Sequence, residues 1–163
     1  MLSRCYGKRS QTNRKSPSVC EEWLIFSNFK SWMEQQDWEG KHLDKDFLVY
    51  QNKIYSPETC CFVTNRINSF LLKGRGNKGV NPIGVWPAGN SFHARISGGV
   101  GKNSYLGSFN TTEEAHQAWQ KAKIKQAQDL AANQTDERVI KGLLRVADKI
   151  QYDLDNNLIT EDF

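Results

Sequence analysis

The chain has 163 residues, 38% of them hydrophobic and 25% charged, with a formal net charge of +4 at pH 7. Together with a mean hydropathy of -0.66, this is the composition of a soluble globular protein of one medium or two small domains. No apolar run approaches the roughly 20 residues of a membrane span, and residues 1–13 hold no apolar core of a signal peptide, so neither is expected.

The charge is unevenly placed. Residues 59–112 contain no Asp or Glu but carry Arg66, Lys73, Arg75, Lys78, Arg95 and Lys102. Residues 1–20 repeat the pattern with Arg4, Lys8, Arg9, Arg14 and Lys15. Two acid-free basic segments in an otherwise balanced chain are the footprint of phosphate binding, because a merely solvated surface interleaves both signs. The cysteines Cys5, Cys20, Cys60 and Cys61 form no CxxC pair and have no histidine at zinc-finger spacing. Free thiols in a reducing cytosol are expected.

In chain order, residues 1–18 form a basic arm without periodicity, read either as a phosphate-touching extension or as a plain tail. From 19 to 36 the apolar residues Trp23, Phe26, Phe29, Trp32 and Met33 recur three and four apart, which predicts one amphipathic helix with an aromatic core stripe. Residues 41–69 follow. The apolar run 47–50, a turn at Gln51-Asn52-Lys53 and then Ile54-Tyr55 predict a hairpin; Ser56 as N-cap with Pro57 at the first helical position predicts a helix after it. Residues 72–81, rich in Gly and cations, read as a linker that either follows a DNA groove through Lys73, Arg75 and Lys78 or simply spaces two domains.

Next come three short β-prone runs, 83–86, 91–96 and 104–109, divided by turn material at the spacing of a meander. Thr111 with Glu114 three residues on is a capping box opening a helix that carries Ala115, Ala118, Trp119 and Ala122 along one face. So small a sheet must lie on that helix and leave its other face open. Side chains alternate along a strand, so Phe92, Ala94 and Ile96 point to the core while His93, Arg95 and Ser97 join Trp86 and Tyr105 on the open face. That face is basic and aromatic and holds no acid, which suits a polyanion. A last helix from 136 to about 155 carries Val139, Leu143, Val146, Ile150 and Leu154 on one stripe, and residues 156–163 read as a frayed acidic tail. The helix packs on its own domain or pairs with a protein partner or a second copy.

The runs Ile83-Gly84-Val85-Trp86, Ala94-Arg95-Ile96, Tyr105-Leu106-Gly107-Ser108-Phe109-Asn110-Thr111 and Glu114-Ala115-His116-Gln117-Ala118-Trp119 resemble the Apetala2/ethylene-response-factor DNA-binding domain, in the version carried by phage homing-type endonucleases. The resemblance implies a sheet laid in the major groove of duplex DNA, read by Trp86, Arg95, Ser97, Asn103 and Tyr105; alternation adds His93 and the acid-free basic segment adds Lys102 as DNA-binding residues. Plant members place arginines where this chain has Ile83, Trp86, Ser97 and Asn103, so their sequence preference does not carry over. The stretch Val19-Cys20-Glu21-Glu22-Trp23-Leu24 also looks like the N-terminal part of the phage proteins.

The hairpin–helix order of residues 41–69, with Phe62-Val63-Thr64-Asn65-Arg66-Ile67-Asn68, is similar to the ββα-metal region of HNH endonucleases. There a histidine serves as general base and a helix residue helps to hold a divalent metal. In Leu43-Asp44-Lys45-Asp46 the expected histidine is replaced by Lys45 or Asp46, leaving His42 as a substitute base and Asp44, Asp46 and Asn68 as ligands for Mg²⁺. The other reading is that Asp44 and Asp46 flank a turn and Asn68 caps or faces solvent.

The expected fold is therefore α+β: a basic arm (1–18), an N-terminal helix and HNH-like hairpin–helix region (19–71), a linker (72–81), an Apetala2-like sheet on a helix (82–132) and a C-terminal helix with its tail (133–163). The expected function is DNA binding, with Mg²⁺-dependent cleavage as one reading and a non-catalytic repressor, adaptor or inhibitor as the other. A protein-interaction module is a third class. The resemblance places the protein in the cytoplasm of a phage-infected bacterium.

Overall fold

The structure, a computed structural model, describes residues 1–7, 16–49, 51–71, 81–97 and 105–163. It is α+β and divides into two units, Met1–Asn68 and Ser69–Phe163. The division falls inside a helix rather than in the expected linker, which lies outside the described residues except for Asn81. No helix among the described residues is long and apolar enough to cross a membrane.

In the first unit, a short helix α1 (Leu2–Tyr6) leads to β1 (Ser18–Val19), which pairs in parallel with β3 (Ile54–Tyr55). The single helix expected over 19–36 is not formed. Instead the chain makes α2 (Glu21–Leu24) and α3 (Phe26–Glu34), with Ile25 between them in extended backbone at φ -91° and ψ 112°. Val19 is claimed by the strand pairing and is buried. Trp23 is driven into the core, and the break lets Phe29 and Trp32 fold back on its indole at ring distances of 5.1 and 4.6 Å. The Asn28 side chain crosses the break and donates to the Glu22 carbonyl at 3.0 Å. Cys5, Val19, Tyr55 and Cys60 complete that core, with Cys20 packed against it. The cysteines are free thiols, and burial pushes the Cys60 thiol up to about 11.

The expected hairpin is also replaced. β2 (His42–Asp44) pairs antiparallel with β4 (Cys61–Val63), His42 opposite Val63 and Asp44 opposite Cys61. Residues 47–49 form no strand because Asp44 bends the chain: its Oδ1 accepts from the N–H groups of Asp46 and Phe47, both at 2.8 Å. Asn52 closes the loop, donating to the carbonyls of Lys45 and Ile54. Ser56 and Pro57 open a single turn, not a helix; the Cys60 N–H reaches the Ser56 carbonyl at 3.0 Å and the chain then extends. The helix α4 (Asn65–Leu71) starts later, where Thr64 Oγ1 accepts from the Ile67 N–H.

The second unit holds the antiparallel sheet β5–β6–β7, made of β5 (Val85–Ala88), β6 (Ser91–Arg95) and β7 (Tyr105–Phe109). Helix α5 (Thr112–Ala131) packs beneath it and α6 (Glu137–Asp155) lies along α5. Thr111 Oγ1 accepts from the Glu114 N–H at 3.1 Å as the capping box requires, while the Glu114 carboxylate reaches back one residue further, to the Asn110 N–H. Val85, Ala94 and Ala115 form the core between sheet and helix. Gly84 makes this approach possible: at φ +82°, a Cβ there would lie 2.1 Å from the Trp119 ring.

The closing residues are not a frayed tail. Thr160 is fully buried, donating its hydroxyl to Asp153 at 2.9 Å and accepting from Gln120 at 3.0 Å. The chain is drawn back onto α5, where the buried side chains of His116 and Gln120 find partners in Thr160 and in the Leu158 carbonyl.

Candidate nucleic-acid interface

The sheet buries one face and leaves the other open, and the pairing register decides what stands on the open side. Val85, Ala94 and Gly107 share a row on the helix side; Trp86, His93 and Ser108 share the next row and point away from it. Ala94 is fully buried, while Arg95 is exposed, as alternation requires.

Alternation carried back from Phe109 would turn Tyr105 inward. A bulge prevents this: Ala94 pairs with Gly107 but Arg95 pairs with Tyr105, leaving Leu106 without an opposite residue. Leu106 packs on the core, and Tyr105 returns to the open face, 49% exposed. Gly107, at φ +145°, accommodates the irregularity. The Tyr105 ring meets His93 edge-to-face at 5.1 Å and 81°.

The open face therefore collects Trp86, His93, Arg95 and Tyr105, four of the residues expected there, with no carboxylate among them. Ser91 and Ser108 join it through a hydroxyl–hydroxyl hydrogen bond of 3.0 Å. Neither serine was singled out from the sequence, though alternation from His93 reaches Ser91, and Ser108 lies opposite His93. Ser97 is exposed just beyond β6, and its carbonyl is held by Gln126 of α5 at 3.2 Å. Lys73, Arg75, Lys78, Lys102 and Asn103 lie outside the described residues.

The candidate catalytic residues belong to the first unit. His42 is exposed on β2 and Asp44 follows two residues on, so both side chains leave the strand on one side. Asp44 Oδ1 is engaged by two backbone N–H groups, and the Asp46 carboxylate pairs with the Lys45 ammonium, which also donates to the Asn52 carbonyl at 2.9 Å. Asn68 lies on α4, its N–H bonded to the Thr64 carbonyl. A strand–strand–helix order survives here with different members from those expected, β2, β4 and α4. Among the described residues no three His, Cys, Asp or Glu side chains gather as a metal-binding group. In that turn one oxygen of each carboxylate, Oδ1 of Asp44 and Oδ1 of Asp46, is engaged by the protein.

Comparison with protein families, with curated proteins and with solved structures finds no match to this chain.

Proposed function

We propose that this is a double-stranded DNA-binding protein that reads DNA with the open face of its three-stranded sheet. The observation that carries the reading is the face itself: an exposed arginine, a histidine and two aromatic rings on adjoining strands, with no carboxylate among the described residues of those strands. Such a surface offers charge for phosphates, hydrogen bonds for base edges and flat apolar rings for sugars and thymine methyls. The resemblance to the Apetala2-type domain of phage homing endonucleases points the same way and supplies the biological setting, a phage-infected bacterial cell.

Between a nuclease and a non-catalytic derivative, the engagement of Asp44 favours the derivative. Its role is that of a repressor, adaptor or inhibitor acting through DNA. Two experiments test this. Arg95→Ala and Trp86→Ala should each weaken binding to a selected duplex about tenfold while leaving the circular dichroism spectrum unchanged; wild-type affinity in both variants removes the sheet from the reading. Supercoiled DNA carrying the bound site, incubated with Mg²⁺ or Mn²⁺, should remain uncut. Nicked product that vanishes in His42→Ala would restore the nuclease.

A further inference from the structure

His93 stands in the middle strand of the open face, with Trp86 opposite it on β5 and Ser108 opposite it on β7. The Tyr105 ring rests against its imidazole, and Arg95 lies two residues along on the same side. Among the described residues, the charged and titratable groups facing it are thus Arg95 from its own strand and Tyr105 from β7; β5 contributes Trp86, which does not titrate, and none of these strands brings a carboxylate. An imidazole is the side chain that changes charge between about pH 5 and 8. A phosphate placed against it favours the protonated form.

We propose that His93 is a phosphate-binding residue of this face and engages DNA as an imidazolium, so that the protein takes up a proton when it binds. The inference rests on the sheet being the DNA surface. Arg95 then supplies a fixed positive charge and His93 a switchable one. Tyr105 holds the ring in place, an arrangement that needs the bulge which brings Tyr105 to this side. DNA affinity accordingly rises as the solution is acidified.

The test is fluorescence anisotropy with a labelled duplex of about 25 base pairs, at fixed ionic strength, from about pH 8 to about pH 5.5. The full chain is compared with His93→Gln and Arg95→Ala. Wild type should gain about tenfold in affinity over this range. His93→Gln should bind like wild type at the alkaline end and show no gain, and near pH 5.5 its log–log salt slope should be shallower by about 0.9. A wild-type pH profile in His93→Gln overturns the proposal, as does a flat profile in wild type. If Arg95→Ala weakens binding while His93→Gln keeps the wild-type profile, only the role of His93 falls. If Arg95→Ala and His93→Gln both bind like wild type throughout, the DNA surface itself is misplaced.

Discussion

The backbone N–H of Thr160 donates to Nε2 of His116 at 3.0 Å, fastening the end of the chain to the first turns of α5. An amide N–H can only donate and a carbonyl oxygen can only accept. The His116 imidazole is therefore the neutral tautomer with its proton on Nδ1, which donates to the Ile83 carbonyl at 2.9 Å. The ring also stacks on Trp119, so one side chain joins the entry to the sheet, the helix beneath it and the closing segment.

This fastening is predicted to fail in acid. Burial holds the His116 pKa below its ordinary value, against the opposing effects of the Ile83 carbonyl and Asp153. The unfolded chain then binds a proton at a pH where the native chain does not, so stability from neutral His116 is present above about pH 6.5 and is lost as pH falls below it. Amide hydrogen exchange at Thr160, corrected for its intrinsic rate, should show the closing segment opening more readily on acidification. His116→Phe should abolish that dependence and loosen the segment at every pH. Opening that is independent of pH in the wild type would refute the assignment.

Lys123 gives a dependence in the neutral-to-alkaline range. It is 1% exposed and its ammonium donates to the Phe70 carbonyl at 2.6 Å, 3.8 Å from the centre of the Phe70 ring. No carboxylate bridges to it among the described residues, and burial brings its pKa down to about 7. Above that value the native chain has released a proton the unfolded chain still holds, so stability rises with pH. Urea unfolding followed at the Trp119 indole resonance should show a gain of about 2 kcal/mol between pH 7 and 9. Lys123→Met should remove the gain; its persistence would assign the titration to another group.

The contact between Gly84 and Trp119 makes a steric prediction. An added methyl meets the indole at 2.1 Å in a backbone conformation that L side chains rarely adopt. Gly84→Ala should destabilise the second unit by roughly 3 kcal/mol or more, lowering its Tm by about 12 °C. A Tm within about 2 °C of wild type would mean that the close approach is not required.

Much of this unit was legible in the sequence because its rules are local. Alternation from Phe92 to Ser97 separates core from surface, Thr111 and Glu114 announce α5, and the stripe from Val139 to Leu154 announces α6. The bulge at Arg95 depends on cross-strand pairing, which no single segment displays; Tyr105 belongs to the open face, as expected, only because of that bulge, since strict alternation back from Phe109 turns it inward. The first unit was less legible for the same reason. β1 finds its partner in β3 and β2 finds its own in β4, so extended backbone is imposed on Val19 and Cys61 by residues distant in sequence. Helical spacing of aromatic residues then misleads, because Trp23 needs Phe29 and Trp32 around it rather than in line with it. The tail misled too: Glu161 and Asp162 suggest solvent, but Thr160 beside them is anchored by His116, Gln120 and Asp153.

Asp44 is where the local and the chemical readings of the first unit part, and substitution distinguishes them. A turn-forming role requires an oxygen that accepts from the N–H groups of Asp46 and Phe47, which an asparagine also supplies. Asp44→Asn should therefore change the stability of the first unit by less than about 0.5 kcal/mol, whereas Asp44→Ala should cost about 1–2 kcal/mol, both read from chemical unfolding. Neither should alter DNA affinity through the sheet. An asparagine as costly as alanine would show that the negative charge itself is needed there, and a bound cation would then become the better account of the Asp44–Asp46 turn.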